Sequence, residues 1–166
     1  MVETPTIRTR VRAALIAAAF VAVCFLAAGA GQLGGSPSQN AWYAALQKPA
    51  FTPPSWLFGP VWTALYVSMG VAAWLVWLRR GFRDGALPLL LFAGQLVLNA
   101  AWTPLFFGLQ SPALAFADIV LLWVMIAATT AAFFRVRRAA GLLMVPYLAW
   151  TSFAAALNFA LWRMNA

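Results

Sequence analysis

Five long stretches of the sequence contain almost no charge, and they limit the possible folds more than any other feature. Each is 21 to 24 residues long, and a helix needs roughly 20 apolar residues to cross the hydrocarbon core of a bilayer. Backbone groups in lipid must form hydrogen bonds within their own segment, so runs of this length favour helices over barrel strands. The runs are Ala13–Leu33, Trp56–Leu78, Leu87–Phe107, Pro112–Phe134 and Ala139–Trp162.

Composition supports the same interpretation. Only 8% of the residues are charged and 64% are hydrophobic, whereas a soluble domain has about 25% charged residues. A chain with so little charge cannot cover a core with polar surface, so lipid is its solvent. The sequence therefore predicts an all-α membrane protein, a five-transmembrane-helix bundle that forms one domain over residues 1–166.

The basic residues predict the orientation of the bundle. In an up-and-down arrangement nine of the eleven fall on one side, and only Lys48 and Arg163 fall on the other. The positive-inside rule then places the N-terminus in the cytoplasm of a bacterial inner membrane; an outer-membrane location stays an alternative. The first run also resembles a signal peptide, but its length favours a retained helix. The nine are Arg8, Arg10, Arg12, Arg79, Arg80, Arg83, Arg135, Arg137 and Arg138.

The formal net charge of +8 does not indicate nucleic-acid binding. Basic residues at helix ends are explained by topology and by acidic lipid head groups. Aromatic and basic residues do not interleave as they do on a base-stacking surface. We therefore expect a lipid membrane as a partner and no nucleic acid.

The first loop, Gly34–Ser55, is long and aromatic. Its second half reads "KPAFTPPSW", and the prolines restrict both themselves and their neighbours. Disordered segments lack aromatic residues, whereas this loop carries Trp42, Tyr43 and Phe51. The sequence predicts a long lid loop between helices 1 and 2. It should start flexibly at residues 34–40, form a short helical turn at residues 41–46, and cover the outer end of the bundle.

Several kinds of chemistry have no residues to support them. The sequence has no histidine, a single cysteine (Cys24) and no glycine-rich phosphate loop. Hydrolysis by a serine–histidine pair, phosphoryl transfer and metal catalysis are therefore not expected by the usual routes. We predict no metal site and no intrinsic cofactor.

Aromatic and amide residues recur at helical spacing on three of the spans. Polar side chains inside a membrane usually face the bundle interior. If the three stripes converge, they line a cavity for a large, planar, mostly apolar ligand. Alternatively, each residue alone serves as an interfacial anchor or a helix–helix contact. The stripes are Phe58, Trp62 and Tyr66; Asn99, Trp102 and Phe106; and Trp150, Ala154 and Asn158.

Asp118 is the only carboxylate inside a span. It can bond to an indole N–H or an asparagine in the core, or it can carry protons in a coupled transporter; Gln95 is a candidate partner. Pro104 and Pro146 interrupt the third and fifth spans, and each removes a backbone hydrogen bond and favours a kink. Kinks widen a bundle locally, which suits a cavity.

Three motifs in order resemble the translocator protein family, also called tryptophan-rich sensory proteins or peripheral-type benzodiazepine receptors. They are "WYAALQKPAFTPPSWLFGPVWTALY", "NAAWTPLFFG" and "PYLAWTSFAAALNFALWR". The resemblance implies a five-helix bundle, usually a homodimer, with a pocket closed by the first loop. Family members bind porphyrins, including protoporphyrin IX, and isoquinoline-type drugs; animal members also bind cholesterol.

The resemblance also implies roles for particular residues. Trp62 and Trp150 correspond to the pair implicated in light-driven porphyrin breakdown by bacterial members, so they are the catalytic candidates if the protein is an enzyme. The remaining matches are pocket positions. The implied ligand-binding set is Tyr43, Phe58, Val61, Trp62, Tyr66, Asn99, Trp102, Ala117, Leu121, Trp150, Ala154, Leu157 and Asn158.

Two positions depart from the family pattern. Leu114 stands where animal members carry a tryptophan, which weakens stacking of an aromatic drug. Phe159 stands where the proposed cholesterol pattern needs tyrosine, before Arg163. Sterol binding is therefore not expected from this pattern.

Three functions remain in competition. The first is a membrane receptor or sensor for tetrapyrroles such as protoporphyrin IX. The second is a light-dependent porphyrin-degrading enzyme, and the third is a porphyrin or small-molecule transporter. Transport fits least well, because many secondary transporters contain structural repeats and this sequence has none. A homodimer is implied by the resemblance, with small residues such as Gly94 allowing close helix approach.

Overall fold

The computed structural model describes residues 7–33 and 41–166, and within these ranges all regular structure is helical. The chain forms helices α1 to α6, and a π-helical turn at Pro104–Gly108 continues α4. Counting α4 and the π turn as one span, five stretches are long and apolar enough to cross a membrane. The helices are α1 (Ile7–Gln32), α2 (Ala41–Ala45), α3 (Ser55–Arg80), α4 (Ala86–Thr103), α5 (Pro112–Val136) and α6 (Arg138–Met164).

The five long helices form a closed ring. Helix α3 packs against α1 and α6, α5 packs against α6 and α4, and α4 completes the ring by packing against α1. Large apolar side chains such as Leu26, Leu90 and Val97 are exposed on the outside, where lipid replaces water as the solvent. The ring arrangement leaves space in the middle of the bundle toward the end that carries α2.

The predicted spans agree with the observed helices apart from their ends. The last helix continues through Pro146 from Arg138 to Met164 without interruption. At the third span the predicted interruption is found: α4 ends at Thr103, and Leu109 N–H donates to Pro104 O over 2.8 Å. The proline cannot donate, so the chain changes to wider π turns at this point.

Local sequence explains other helix ends. Gly81 ends α3 with φ of 67°, a left-handed conformation that glycine adopts without steric cost. Ser111 caps α5 by accepting a hydrogen bond from Leu114 N–H over 3.3 Å, and Pro112 occupies the first helical position. A glycine at the C-terminus of a helix, and a serine cap followed by proline at the N-terminus, are both common features of helix ends.

The predicted short helical turn in the first loop is confirmed as α2. The predicted flexible start at residues 34–40 lies outside the described residues, and the lid role of the whole loop stays a prediction. Segment 41–54 contacts the end of the bundle. The Trp42 and Tyr43 rings lie 5.6 and 6.0 Å from the Phe106 ring. Gln47 N–H donates to Asn165 Oδ1 over 2.9 Å, and Asn165 Nδ2 donates back to Gln47 O over 3.0 Å.

Gly94 packs within the chain. A Cβ added to this residue would lie 2.8 Å from Met125 Cε of α5. Within the chain Gly94 lies against α5, and its part in a dimer contact stays a prediction.

Candidate functional site

A cavity of about 480 Å³ lies inside the ring of helices, at the end that carries α2. Small-molecule sites usually occupy clefts of roughly 300–1,000 Å³ with a mostly apolar lining and a few polar groups. Side chains from all five long helices and from segment 41–54 line the cavity. It is therefore the candidate binding site of the protein.

Most of the predicted ligand-binding residues meet at this cavity. The stripes predicted on the second, third and fifth spans converge on it, as their helical spacing suggested. The predicted residues that line it are Tyr43, Phe58, Trp62, Tyr66, Asn99, Trp102, Trp150, Ala154, Leu157 and Asn158.

Three predicted residues do not line the cavity. Val61 is half-buried and packs against the main core. Ala117 and Leu121 are exposed on the outer face of α5, and Leu121 is 59% exposed. Helix α5 instead turns Ile119 and Leu122 toward the cavity.

Other lining residues were missed by the sequence analysis. Helix α1 contributes Ala28 and Gly31, segment 41–54 contributes Lys48, and α6 contributes Thr151. Thr151 lies next to Trp150, so attention to all polar residues near the predicted stripe would have found it. The small residues of α1 give no such signal in a helix rich in alanine.

Eight of the described residues that line the cavity are aromatic. The Trp62 ring is stacked on the Tyr66 ring with centroids 5.3 Å apart and planes inclined by 26°. The Trp150 ring meets the Phe58 ring edge-on at 5.9 Å. Such offset and edge-on arrangements are the favoured ones for aromatic pairs. They hold the two indoles on α3 and α6, which are neighbouring helices of the ring.

A chain of four buried side chains forms the inner end of the cavity. Tyr66 Oη donates to Asn99 Oδ1, Asn99 Nδ2 donates to Tyr147 Oη, and Tyr147 Oη donates to Gln95 Oε1, each over 3.0 Å. Tyr66 and Asn99 face the cavity, whereas Tyr147 and Gln95 lie behind it, both 0% exposed. The direction of donation leaves the lone pairs of Tyr66 Oη as an acceptor at the cavity surface.

Both polar atoms of the Asn158 side chain also form hydrogen bonds within the chain. Its Oδ1 accepts a hydrogen bond from Trp102 Nε1 over 3.0 Å, and its Nδ2 donates to Pro112 O over 2.8 Å. These bonds link α4, α5 and α6. The amide therefore positions Trp102 in the wall, which is a structural role in addition to lining the cavity.

Asp118 and Gln95 do not bond to each other. Gln95 Nε2 and Asp118 Oδ2 are both buried without a hydrogen-bond partner among the described residues, and so is Thr151 Oγ1. The predicted pairing of Gln95 with Asp118 is therefore wrong: the donor Nε2 of Gln95 does not reach the carboxylate, and its Oε1 accepts from Tyr147. Buried polar groups of this kind usually bond to ordered water or to a ligand. Thr151 is among the lining residues of the cavity, but its hydroxyl oxygen is buried.

Comparison with known proteins identifies the family. The sequence model described as TspO/MBR family matches residues 20–163. The translocator protein of Ovis aries is 47% identical over 126 residues, 75% of each chain. The tryptophan-rich protein TspO of Chlorobaculum tepidum is 47% identical over 135 residues, 78% of this chain and 84% of that protein. The tryptophan-rich sensory protein of Cereibacter sphaeroides is 40% identical over 146 residues, 88% of this chain and 89% of that protein.

The match covers most of the chain and includes the helices that build the cavity. The motifs that suggested the resemblance lie within it, at residues 42–66, 99–108 and 146–163. Together with the five helices able to span a bilayer, this settles the class of the molecule. The chain belongs to the TspO/MBR family and is a multi-pass integral membrane protein.

Proposed function

We propose that the protein is a membrane receptor or sensor that binds a planar tetrapyrrole of the protoporphyrin IX type in the cavity between its helices. The observation that carries the proposal is the lining: indoles from α3, α4 and α6 surround a space with few polar groups. A flat aromatic guest gains both burial and ring stacking in such a space. The name of the Cereibacter sphaeroides relative, a tryptophan-rich sensory protein, is in line with a sensing role.

The guest stacks against the indoles of Trp62 and Trp150. Each ring is held by an aromatic neighbour, so little side-chain freedom is lost on binding. The inner edge of the guest lies near Tyr66 Oη, whose proton is donated to Asn99 Oδ1.

Titration with protoporphyrin IX tests the proposal. Tryptophan fluorescence of the purified protein in a non-ionic detergent should be quenched in a saturable way, with about one equivalent bound per chain. An isoquinoline-type ligand of the family should compete for the same site. Quenching that rises linearly without saturation, as with free tryptophan in the same micelles, would count against a binding site.

A second candidate, a light-dependent porphyrin-degrading enzyme, is favoured by one observation: Trp62 and Trp150 line the same cavity. A light-excited porphyrin can take an electron from a neighbouring indole, and molecular oxygen can then attack the porphyrin ring. The protein contributes proximity and the electron donor, and the ligand carries the chemistry.

Illumination of the aerated complex separates this candidate from simple binding. We expect the porphyrin absorbance to fall faster than with equimolar free tryptophan, and Trp62→Phe/Trp150→Phe to remove the difference. Equal loss with free tryptophan, or an unchanged rate in the double variant, would leave only the receptor function.

We also propose an orientation of the protein in the membrane and an oligomeric state. The arginines that follow α3 and α5 lie at one end of the bundle, and the cavity lies at the other. By the positive-inside rule, the N-terminus is cytoplasmic in an inner membrane, and the cavity opens toward the opposite side. The functional unit is a homodimer, as the family resemblance implies.

A further inference from the structure

The cavity has one charged side chain in its described lining, and this is Lys48. The acidic residues whose positions are described lie elsewhere: Asp84 follows α3 at the opposite end of the bundle, and Asp118 lies within α5 outside the lining. A single positive charge in an apolar cavity is a strong local feature, because charges are rare where apolar side chains dominate.

The ammonium group of Lys48 is held in place. Its Nζ donates to Ala44 O over 3.2 Å and to Leu46 O over 3.3 Å. It also lies 4.8 Å from the centre of the Tyr43 ring, within the distance of a cation–π contact. An ammonium group has three protons, so one remains for a further acceptor. Lys48 thus fastens the end of α2 and still presents its charge.

The described lining of the cavity holds no acidic side chain that could neutralise this charge. Burial raises the pKa of the Tyr43 phenol above its ordinary value, so this side chain is neutral at physiological pH. Both carbonyl partners of Lys48 are neutral as well. The positive charge therefore stays uncompensated by any described residue at the mouth of the cavity.

The inner end of the cavity is polar but neutral. Tyr66, Asn99 and Thr151 are the innermost polar lining residues, and none carries a charge at physiological pH. Tyr66 lies eleven residues into α3, which corresponds to a depth of roughly 16 Å at 1.5 Å per residue. A guest therefore meets a neutral hydrogen-bonding floor at one end and a cation at the other.

We propose that Lys48 is the anion-binding position of the cavity, and that the preferred guest is a planar apolar molecule with a carboxylate at the end nearest α2. This rests on the proposed function and goes beyond it by setting the charge and the orientation of the ligand. A carboxylate accepts the third ammonium proton, and charge-assisted bonds of this type are stronger than neutral ones. Reversed insertion would place the carboxylate against the neutral floor, where a buried charge is costly.

The test varies the ligand and the residue together. Protoporphyrin IX, which carries two carboxylates, is compared with its uncharged dimethyl ester, on the wild-type chain and on Lys48→Met. Because Lys48 is exposed, we expect the acid-to-ester affinity ratio to fall about five- to tenfold in Lys48→Met. Partition of the two ligands into detergent cancels in this comparison of ratios. Ester affinity should change less than twofold, which also shows that the cavity of the variant is intact.

Two further variants complete the experiment. Lys48→Arg keeps the charge and should keep most of the wild-type ratio. Arg163→Met removes an exposed positive charge at the same end of the bundle but outside the cavity lining, and should leave the ratio unchanged. A fall in the ratio with Arg163→Met as well would assign the effect to general surface charge and overturn the proposal.

The outcomes are separable. Equal acid-to-ester ratios in the wild type and Lys48→Met would overturn the anion site while leaving tetrapyrrole binding intact. Equal weakening of both ligands by Lys48→Met would also overturn it, since Lys48 would then act only by holding α2. Absence of binding by either ligand to the wild type would remove the proposed function itself, and the anion site with it.

Discussion

Replacing both Trp62 and Trp150 with alanine should weaken protoporphyrin IX binding at least 100-fold. Both indoles line the cavity, on helices α3 and α6. Burial of a large aromatic side chain contributes about 1.5–3 kcal/mol and ring stacking about 1 kcal/mol more. Even if half of this is kept through contacts with neighbouring residues, loss of two indoles removes about 3 kcal/mol, which is more than a factor of 100 in affinity.

The measurement should follow the porphyrin absorbance, because the variant lacks two of its fluorescent groups. A matched control is Trp56→Ala/Trp123→Ala, which removes two indoles that are outside the cavity lining, one 71% and the other 39% exposed. Its affinity should stay within about threefold of the wild type. If the Trp62/Trp150 variant keeps its helix content and binds as tightly as this control, the cavity between the helices is not the porphyrin site.

Gly70→Ala should destabilise the bundle by about 1–3 kcal/mol, the usual cost of adding a methyl group to a well-packed contact. A Cβ on Gly70 would lie 2.6 Å from Val21 Cα and 2.8 Å from Val21 N. These are backbone atoms, so the contact cannot be relieved by a side-chain rotation. The two helices α1 and α3 must separate, and this opens one side of the ring.

Thermal unfolding in detergent measures the effect. Gly59→Ala on the same helix is the matched control, since nothing lies within 4 Å of its added Cβ. Alanine is favoured over glycine within a helix by up to about 1 kcal/mol, so this variant should unfold at the wild-type temperature or above it. Equal unfolding temperatures for the two variants would contradict the close α1–α3 contact.

The spans were predictable because a bilayer imposes one length on every helix. Charges and prolines marked most of their ends, and Pro104 marked the place where α4 changes to π turns. The site was predictable on α3, α4 and α6 for a different reason. There, indole, phenol and amide groups interrupt an apolar background at helical spacing, so Trp62, Asn99 and Trp150 identify the inner face.

Helix α5 has no indole, phenol or amide group that faces the cavity. Its side chains toward the cavity are apolar, and so is its outer face, because that face meets lipid instead of water. Residues carried over from the family, Ala117 and Leu121, are exposed, whereas Ile119 and Leu122 line the cavity. Periodicity cannot separate these pairs, since leucine and isoleucine suit both lipid and core. In a soluble helix, polar residues on the outer face would have identified the orientation.

The hydrogen-bond partners of the asparagine side chains could not be predicted from the sequence either. Asn99 and Asn158 were expected to be ligand-binding residues or helix–helix contacts. In the structure both are tied to neighbouring helices, through Tyr66, Tyr147, Trp102 and the carbonyl of Pro112. Such partners depend on the relative rotation of three helices, and spacing along one helix does not determine it.

The two hydrogen bonds between Gln47 and Asn165 have a consequence for biosynthesis. Segment 41–54 leaves the ribosome before α3, but Asn165 follows the last span. The mouth of the cavity therefore takes its final form only after α6 has entered the membrane. A nascent chain with all earlier helices inserted still lacks these hydrogen bonds, so the binding site is completed only once the fifth span has been made.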